Sequence, residues 1–365
     1  MVRPDANAGP RREVGLAVAS DRRSCFVRDV GAAFASAALA TGVIEHDLLV
    51  ADRTIRLRFA GPTLVPYLLP ALAHLVINQV PQPDLTICLW DTASAGSFPP
   101  FPYWSVAEYR LGGRLFGDDD GMVALSHSVT AATLSVLDRS TRTAFFWTGE
   151  AKALSIHEQS APLQTILHWA MSTSGWQIVH AAVVGAESGG VLLVGNPGAG
   201  KSTTALAAAG SALRYLSDDK CLVRLTPQPQ AFGLYNSGKL NADSLEQLPH
   251  LRPFIVGRDD NNQKGKCLLF LHPACANWLM RSCPLRAVLI PQVGAHAGPA
   301  VRPVLSSAAL RVLGPSTLLW LPGAERTGMA FMAALVRSLP CYDLYLSPKL
   351  ADNCSALAEV IRTHA

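Results

Sequence analysis

Gly195-Asn196-Pro197-Gly198-Ala199-Gly200-Lys201-Ser202 sets three glycines, a lysine and a hydroxyl at the spacing G-x-x-x-x-G-K-[ST]. Glycines let the backbone curl so that successive N–H groups face one point, and a helix starting at Lys201 adds the positive end of its dipole. Such a cradle suits the phosphates of a nucleoside triphosphate. Lys201 would supply a point charge to the β- and γ-phosphates, the Ser202 hydroxyl is placed to ligate Mg²⁺, and Thr203 follows in the same turn. The run reads as a Walker A element, or P-loop, for MgATP. The plainer alternative, a glycine-rich strand-to-helix turn, rarely brings Lys-Ser and a preceding apolar strand as well.

A P-loop also needs a carboxylate at the end of a neighbouring strand to hold Mg²⁺ directly or through water. Asp218-Asp219 closes the short apolar run Arg214 to Ser217. Side chains of adjacent strand residues face opposite ways, but at a strand end the backbone turns. One carboxylate can then serve the metal while the other takes a proton from an incoming hydroxyl. A capping or turn pair is the alternative. His180, beside Val179, reads either as a functional imidazole or as a satisfied core histidine.

These residues require a particular scaffold. Val179 to Val184 and Val191 to Val194 read as strands around a turn at Gly189-Gly190, and Lys201 to Ala209 reads as a helix. Arg214 to Ser217, Lys266 to Leu271 and Arg286 to Pro291 read as further strands. Ser306 to Leu313, Arg326 to Leu339 and Lys349 to Thr363 read as helices. Upstream, helices are expected over Ser24 to Ile44, Pro62 to Ile77 and Ile156 to Ser172. Strands are expected over Thr54 to Ala60, Leu85 to Trp90, Met122 to Ser126, Thr133 to Leu137 and Thr143 to Trp147. No chemical motif stands out there, and Asp118-Asp119-Asp120, between Gly117 and Gly121, reads as an exposed acidic turn rather than as a cation site, the alternative. The spacing predicts an N-terminal α+β domain over 1–160 and a P-loop domain over 161–365.

The chain has 365 residues, 49% of them hydrophobic and 16% charged, the composition of a well-buried fold of about two domains. Its formal net charge of +4 is spread without a basic run or a nucleic-acid-reading motif, so no nucleic-acid partner is expected. The apolar stretches Ala32 to Ile44 and Leu64 to Ile77 fall short of the roughly 20 residues that span a bilayer. No membrane association is expected, and the location expected is cytoplasmic. Eight scattered cysteines without zinc spacing read as reduced, buried thiols.

Val179-His180, the strand before the P-loop, Gly195 to Ser202 and the strand ending in Asp218-Asp219 together resemble, in order and spacing, the catalytic domain of bacterial HPr serine kinase/phosphorylase. Tyr235-Asn236-Ser237-Gly238-Lys239-Leu240 and Pro284-Leu285-Arg286-Ala287-Val288 resemble HPr-kinase-related proteins encoded beside peptide-modification genes, lasso-peptide kinases among them. The resemblance implies an α/β fold with the P-loop kinase architecture shared with phosphoenolpyruvate carboxykinase, beside the smaller N-terminal domain. It implies ATP and Mg²⁺ as cofactors and phosphorylation of a serine hydroxyl on a peptide or small protein, such as a ribosomally synthesised peptide precursor. Carried over by residue, Lys201 and Ser202 take phosphate and Mg²⁺, Asp219 is the base with Asp218 assisting, and His180 lies near the transferred phosphate. The bifunctional family's glycine-rich, acid-containing loop is not found downstream, where Leu240 to Leu248 has Asp243 and Glu246 in a different setting. Reverse phosphorolysis is therefore not implied. A small-metabolite hydroxyl kinase and a non-catalytic nucleotide switch stay open as alternatives, as does self-association into a homo-oligomer.

Overall fold

Runs such as Ala182-Val183-Val184, Val191-Leu192-Leu193-Val194 and Ala287-Val288-Leu289-Ile290 are apolar at every position, the pattern of strands covered on both faces. A computed structural model, which describes residues 9–101, 114–116, 122–259, 265–294, 298–318, 321 and 324–364, places these runs in strands, the second up to Leu193. The Asp118-Asp119-Asp120 turn lies outside the described residues. Two compact units divide the chain: Met1–Glu45 with Leu57–Leu64 and Thr86–Ala151, and His46–Arg56 with Val65–Leu85 and Lys152–Ala365.

The first half of the chain runs α1 (Gly9–Thr41), β1 (Val43–Val50), β2 (Arg53–Ala60), α2 (Val65–Leu72), β3 (Val76–Ile77), β4 (Leu85–Asp91), α3 (Thr92–Ala95), β5 (Arg114–Phe116), β6 (Val123–Ser128), β7 (Thr133–Asp138) and β8 (Thr143–Thr148). In the first unit β4 lies parallel to β8, and β8, β7, β6 and β5 follow as an antiparallel meander. Helix α1 covers this sheet with Phe26, Val30, Phe34 and Ala37, a stripe at helical spacing that meets Trp90, Phe145 and Trp147. The helix expected over Pro62 to Ile77 is shorter. After Pro70, α2 gives way to a 3₁₀ turn and then to β3, because proline removes a backbone donor inside the helix.

The second half continues α4 (Ile156–Ser160), α5 (Gln164–Ser172), β9 (Trp176–Val179), β10 (Ala182–Ala186), β11 (Gly189–Leu193), α6 (Lys201–Ala208), β12 (Arg214–Ser217), β13 (Cys221–Arg224), β14 (Gln230–Gly233), β15 (Ser237–Leu240), α7 (Ala242–Gln247), β16 (Ile255–Arg258), β17 (Cys267–Phe270), β18 (Ser282–Gln292), β19 (Ala300–Pro303), α8 (Ser306–Leu318), α9 (Ala324–Ser338), β20 (Cys341–Tyr345) and α10 (Leu350–Thr363). Its main sheet is ordered β12-β10-β11-β18-β14-β13-β9, with β20 paired to β18 and β19 to β20. Strands β11, β18 and β20 are mutually parallel, and the remaining pairings are antiparallel.

Alternate residues of the central strands feed two cores. Val184, Val191, Leu193 and Leu289 face Ala205, Leu206, Leu357 and Ile361 of α6 and α10, while Val183, Leu192, Val288 and Ile290 face Leu313, Met332 and Val336 of α8 and α9. A mixed α/β fold results, with helices on both faces of the sheet. A separate three-stranded sheet, β15-β17-β16, carries Lys239.

Two sequence expectations are corrected by local chemistry. Ile156 to Ser172 forms two helices rather than one, because Pro162 interrupts it and Leu163 takes φ +59°. Val179 to Val184 forms two strands: β9 ends at Val179 against β13, β10 begins at Ala182 against β11 and β12, and His180 sits in the bend.

Candidate active site

The P-loop leaves the end of β11, where the Val194 N–H donates to Leu289 O at 2.9 Å. Gly198 (φ +87°) and Gly200 (φ +92°) occupy the left-handed region, and a Cβ on Gly200 would come to 2.6 Å of Leu346 Cδ1. Only glycine makes this turn without strain. Asn196, Pro197 and Gly198 are exposed, whereas α6 buries Lys201 and Thr204. The Lys201 ammonium folds back onto the loop, donating to Gly195 O at 2.6 Å and Asn196 O at 3.2 Å. Burial pushes Lys201 below the usual lysine range, an effect that Asp218 and Asp219 oppose. The hydroxyl of Thr203 is 2.7 Å from that of Ser244 in α7, which ties the first turn of α6 to α7.

Asp218 and Asp219 follow β12 where the backbone turns, and their carboxylates diverge. Asp218 is buried. Its Oδ2 accepts from the Lys239 N–H at 3.0 Å, and its Oδ1 is buried without a hydrogen-bond partner. Burial pushes its pKa up, although the Ser202 hydroxyl beside it works the other way. Asp219 sits between a histidine and a lysine: Oδ1 lies 2.8 Å from His180 Nε2 and Oδ2 lies 2.9 Å from Lys239 Nζ. Burial alone would raise it, but Lys239, Lys220 and His180 outweigh that and hold its carboxyl well below the usual range. His180 is fixed by α8. Its N–H donates to Thr317 Oγ1 at 3.0 Å, and its Nδ1 lies 3.2 Å from Ser316 O.

The expected residues thus meet in one place: Lys201 and Ser202 from the first turn of α6, Asp218 and Asp219 from the end of β12, and His180 from the bend before β10. Sequence reasoning missed two lysines beside them. Lys220 and Lys239 are 5% and 8% exposed, which is rare for lysine without a paired or ligand-binding role. Lys239 sits in the alternating strand Ser237-Gly238-Lys239-Leu240 between apolar positions, and that placement was the available signal. Its ammonium also lies 3.4 Å from His157 Nδ1 of α4. Burial, Lys239 and Lys266 push His157 below the usual histidine range.

Hard oxygen donors suit Mg²⁺, and the residues fit it: the Ser202 hydroxyl lies near Asp218, whose buried Oδ1 is orphaned. Among the described residues no group of three or more His, Cys, Asp and Glu side chains gathers as an all-protein cage. A Mg²⁺ ion here would share its coordination with phosphate oxygens and water, as it commonly does.

Comparison with known proteins adds little. No family model matches the chain, and no curated protein does. A solved structure of the Hpr(Ser) kinase/phosphatase from Coxiella burnetii is similar at 11% identity over 52% of this chain and 95% of that one, with a TM-score of 0.27. At that identity and score the likeness says nothing of function. No helix among the described residues is long and apolar enough to cross a membrane.

Proposed function

We propose that this chain is an ATP-dependent kinase that transfers the γ-phosphoryl group to a serine hydroxyl of a peptide or small protein, with ribosomally made peptide precursors as the acceptor class. The observation that carries the reading is the glycine cradle with Lys201 and Ser202 set against Asp218, whose buried Oδ1 lacks a partner. The serine acceptor rests on the sequence resemblance.

In this reading the P-loop N–H groups bind the phosphates, and Lys201 exchanges the Gly195 and Asn196 carbonyls for phosphate oxygens. Ser202 and Asp218 would hold Mg²⁺, which supplies charge neutralisation on the phosphates. Asp219 faces the acceptor. As the acceptor oxygen bonds to phosphorus, the bond from phosphorus to the bridging oxygen breaks, its electron pair leaves with ADP, and the hydroxyl proton passes to Asp219. A carboxylate held this acidic is a weak base. That suffices in a loose transition state, where phosphoryl transfer needs mainly positioning and charge neutralisation. His180 and Lys239 keep the Asp219 carboxylate ionised and oriented.

Intact mass after incubation with MgATP and precursor peptides from neighbouring genes tests the proposal, with Lys201→Ala as control. One added phosphate on a peptide serine, absent with the variant, is expected. ATP binding without peptide phosphorylation would sink the peptide-kinase reading and turn attention to a metabolite acceptor or a nucleotide switch.

A further inference from the structure

Beyond helping to keep Asp219 ionised, Lys220 has no task in the mechanism above. It follows Asp219 directly, its side chain is 6% exposed, and its ammonium lies 4.0 Å from Asp219 Oδ1. Both oxygens of that carboxylate already have nearer partners, His180 at 2.8 Å and Lys239 at 2.9 Å. Among the described residues the Lys220 ammonium makes no hydrogen bond. The Lys201 ammonium, by contrast, has two carbonyls. Three buried ammonium groups, Lys201, Lys220 and Lys239, therefore surround two carboxylates, and Lys220 feels both other lysines as repulsive neighbours. An ammonium on a nearly buried stem with no hydrogen-bond acceptor is poorly compensated, and a local excess of cationic charge is relieved by an anion.

We propose that Lys220 contacts the transferred phosphoryl group, its ammonium, 4.0 Å from Asp219 Oδ1 and without a hydrogen bond, facing that group from the Asp219 side while Lys201 faces it from the P-loop. The proposal rests on the phosphotransfer reading above. In the transfer, the bond from phosphorus to the bridging oxygen breaks as the bond to the acceptor oxygen forms. Lys220 exchanges no proton and stabilises charge on the equatorial oxygens, which makes it a catalytic residue.

A transition-state mimic tests this without any acceptor. Dissociation constants of MgADP, with and without aluminium fluoride, are measured for the wild type and for Lys220→Met, with thermal melts alongside. Wild-type protein is expected to bind MgADP tighter when aluminium fluoride is present. Lys220→Met should keep the MgADP constant within about threefold and lose at least about tenfold of the fluoride-dependent gain, since one transition-state donor is commonly worth more than that. A gain that survives in Lys220→Met overturns the proposal and leaves the phosphotransfer reading standing. A wild type that binds MgADP without any gain overturns the proposal too, and one that does not bind MgADP overturns both. If Lys220→Met melts far below the wild type, Lys220→Gln takes its place. Should both variants lose the fold, Lys220 is a structural residue and the proposal fails.

Discussion

Asp218 and Asp219 are neighbours in sequence and opposites in electrostatics. Asp218 is buried against a backbone N–H with its Oδ1 orphaned, and burial raises its pKa above 3.8. Asp219 is gripped by His180 and Lys239, and its pKa lies well below 3.8. The signs follow. An aspartate with a raised folded pKa penalises the native state once ionised, so Asp218→Asn should melt higher near neutral pH, by roughly 2 to 4 °C if about 1 kcal/mol is relieved. It should also raise the Mg²⁺ concentration needed for half-maximal activity. Asp219→Asn should melt lower, because its depressed pKa contributes stability above pH 3.8 that is lost only as pH falls through the folded value. Its kcat should fall by about 10² to 10⁴ with nucleotide affinity little changed. Calorimetric scans and steady-state kinetics on the two variants measure this, and equal, mild kinetic losses in both would overturn the division of roles.

Among the elements, the strand-loop-helix from β11 to α6 carries the heaviest backbone demand. Gly198 and Gly200 share a left-handed conformation but differ in surroundings: nothing would approach a Cβ on Gly198, whereas one on Gly200 would meet Leu346 at 2.6 Å. Gly198→Ala should thus lose only the conformational part, about 1 kcal/mol, and Gly200→Ala about 2 to 3 kcal/mol with the added clash. Urea unfolding ranks the two, and the reverse order would show that the loop relaxes around Leu346. α8 contributes through Ser316 and Thr317, which hold His180 in the bend between β9 and β10. A bend rather than a continuous strand is what frees the imidazole to face Asp219.

The second unit as a whole carries a titratable group that bears on stability. Burial, with His272 and Arg281 nearby, lowers His74 to about 3, and its Nδ1 lies 3.4 Å from the Asn236 amide. Unfolded chains protonate this histidine near pH 6.5. The unfolded state therefore binds the extra proton first, and stability should fall as pH drops from about 6.5 toward 3, at no more than about 1.4 kcal/mol per pH unit from this group. Denaturant titrations at pH 7.5, 6.0 and 5.0 should show a smaller loss in His74→Gln than in the wild type. An identical slope would mean that His74 is solvated in the native state. All eight cysteines are free, and six are buried, in keeping with thiols that act as small hydrophobes.

The strand before the P-loop, the loop itself, α6, β12 with its terminal aspartates and the buried β18 were all legible in the sequence. Each depends on local physics: glycines where φ must be positive, unbroken apolar runs where a strand is covered on both faces, helical spacing where one face is buried. Single side chains could not be placed that way. Whether Asp218 or Asp219 met the cations, and whether His180 was core or site, depended on what stood opposite each across the fold. Lys220 carries no signal in the sequence, and Lys239 stands within a segment that bears a family likeness without marking it as a site residue. Tertiary structure buries them beside two carboxylates, because β15 and the P-loop, separated in sequence, come to the turn that joins β12 to β13. Burial converts ordinary lysines into a concentrated field, and burial at a given residue is a property of the assembled chain.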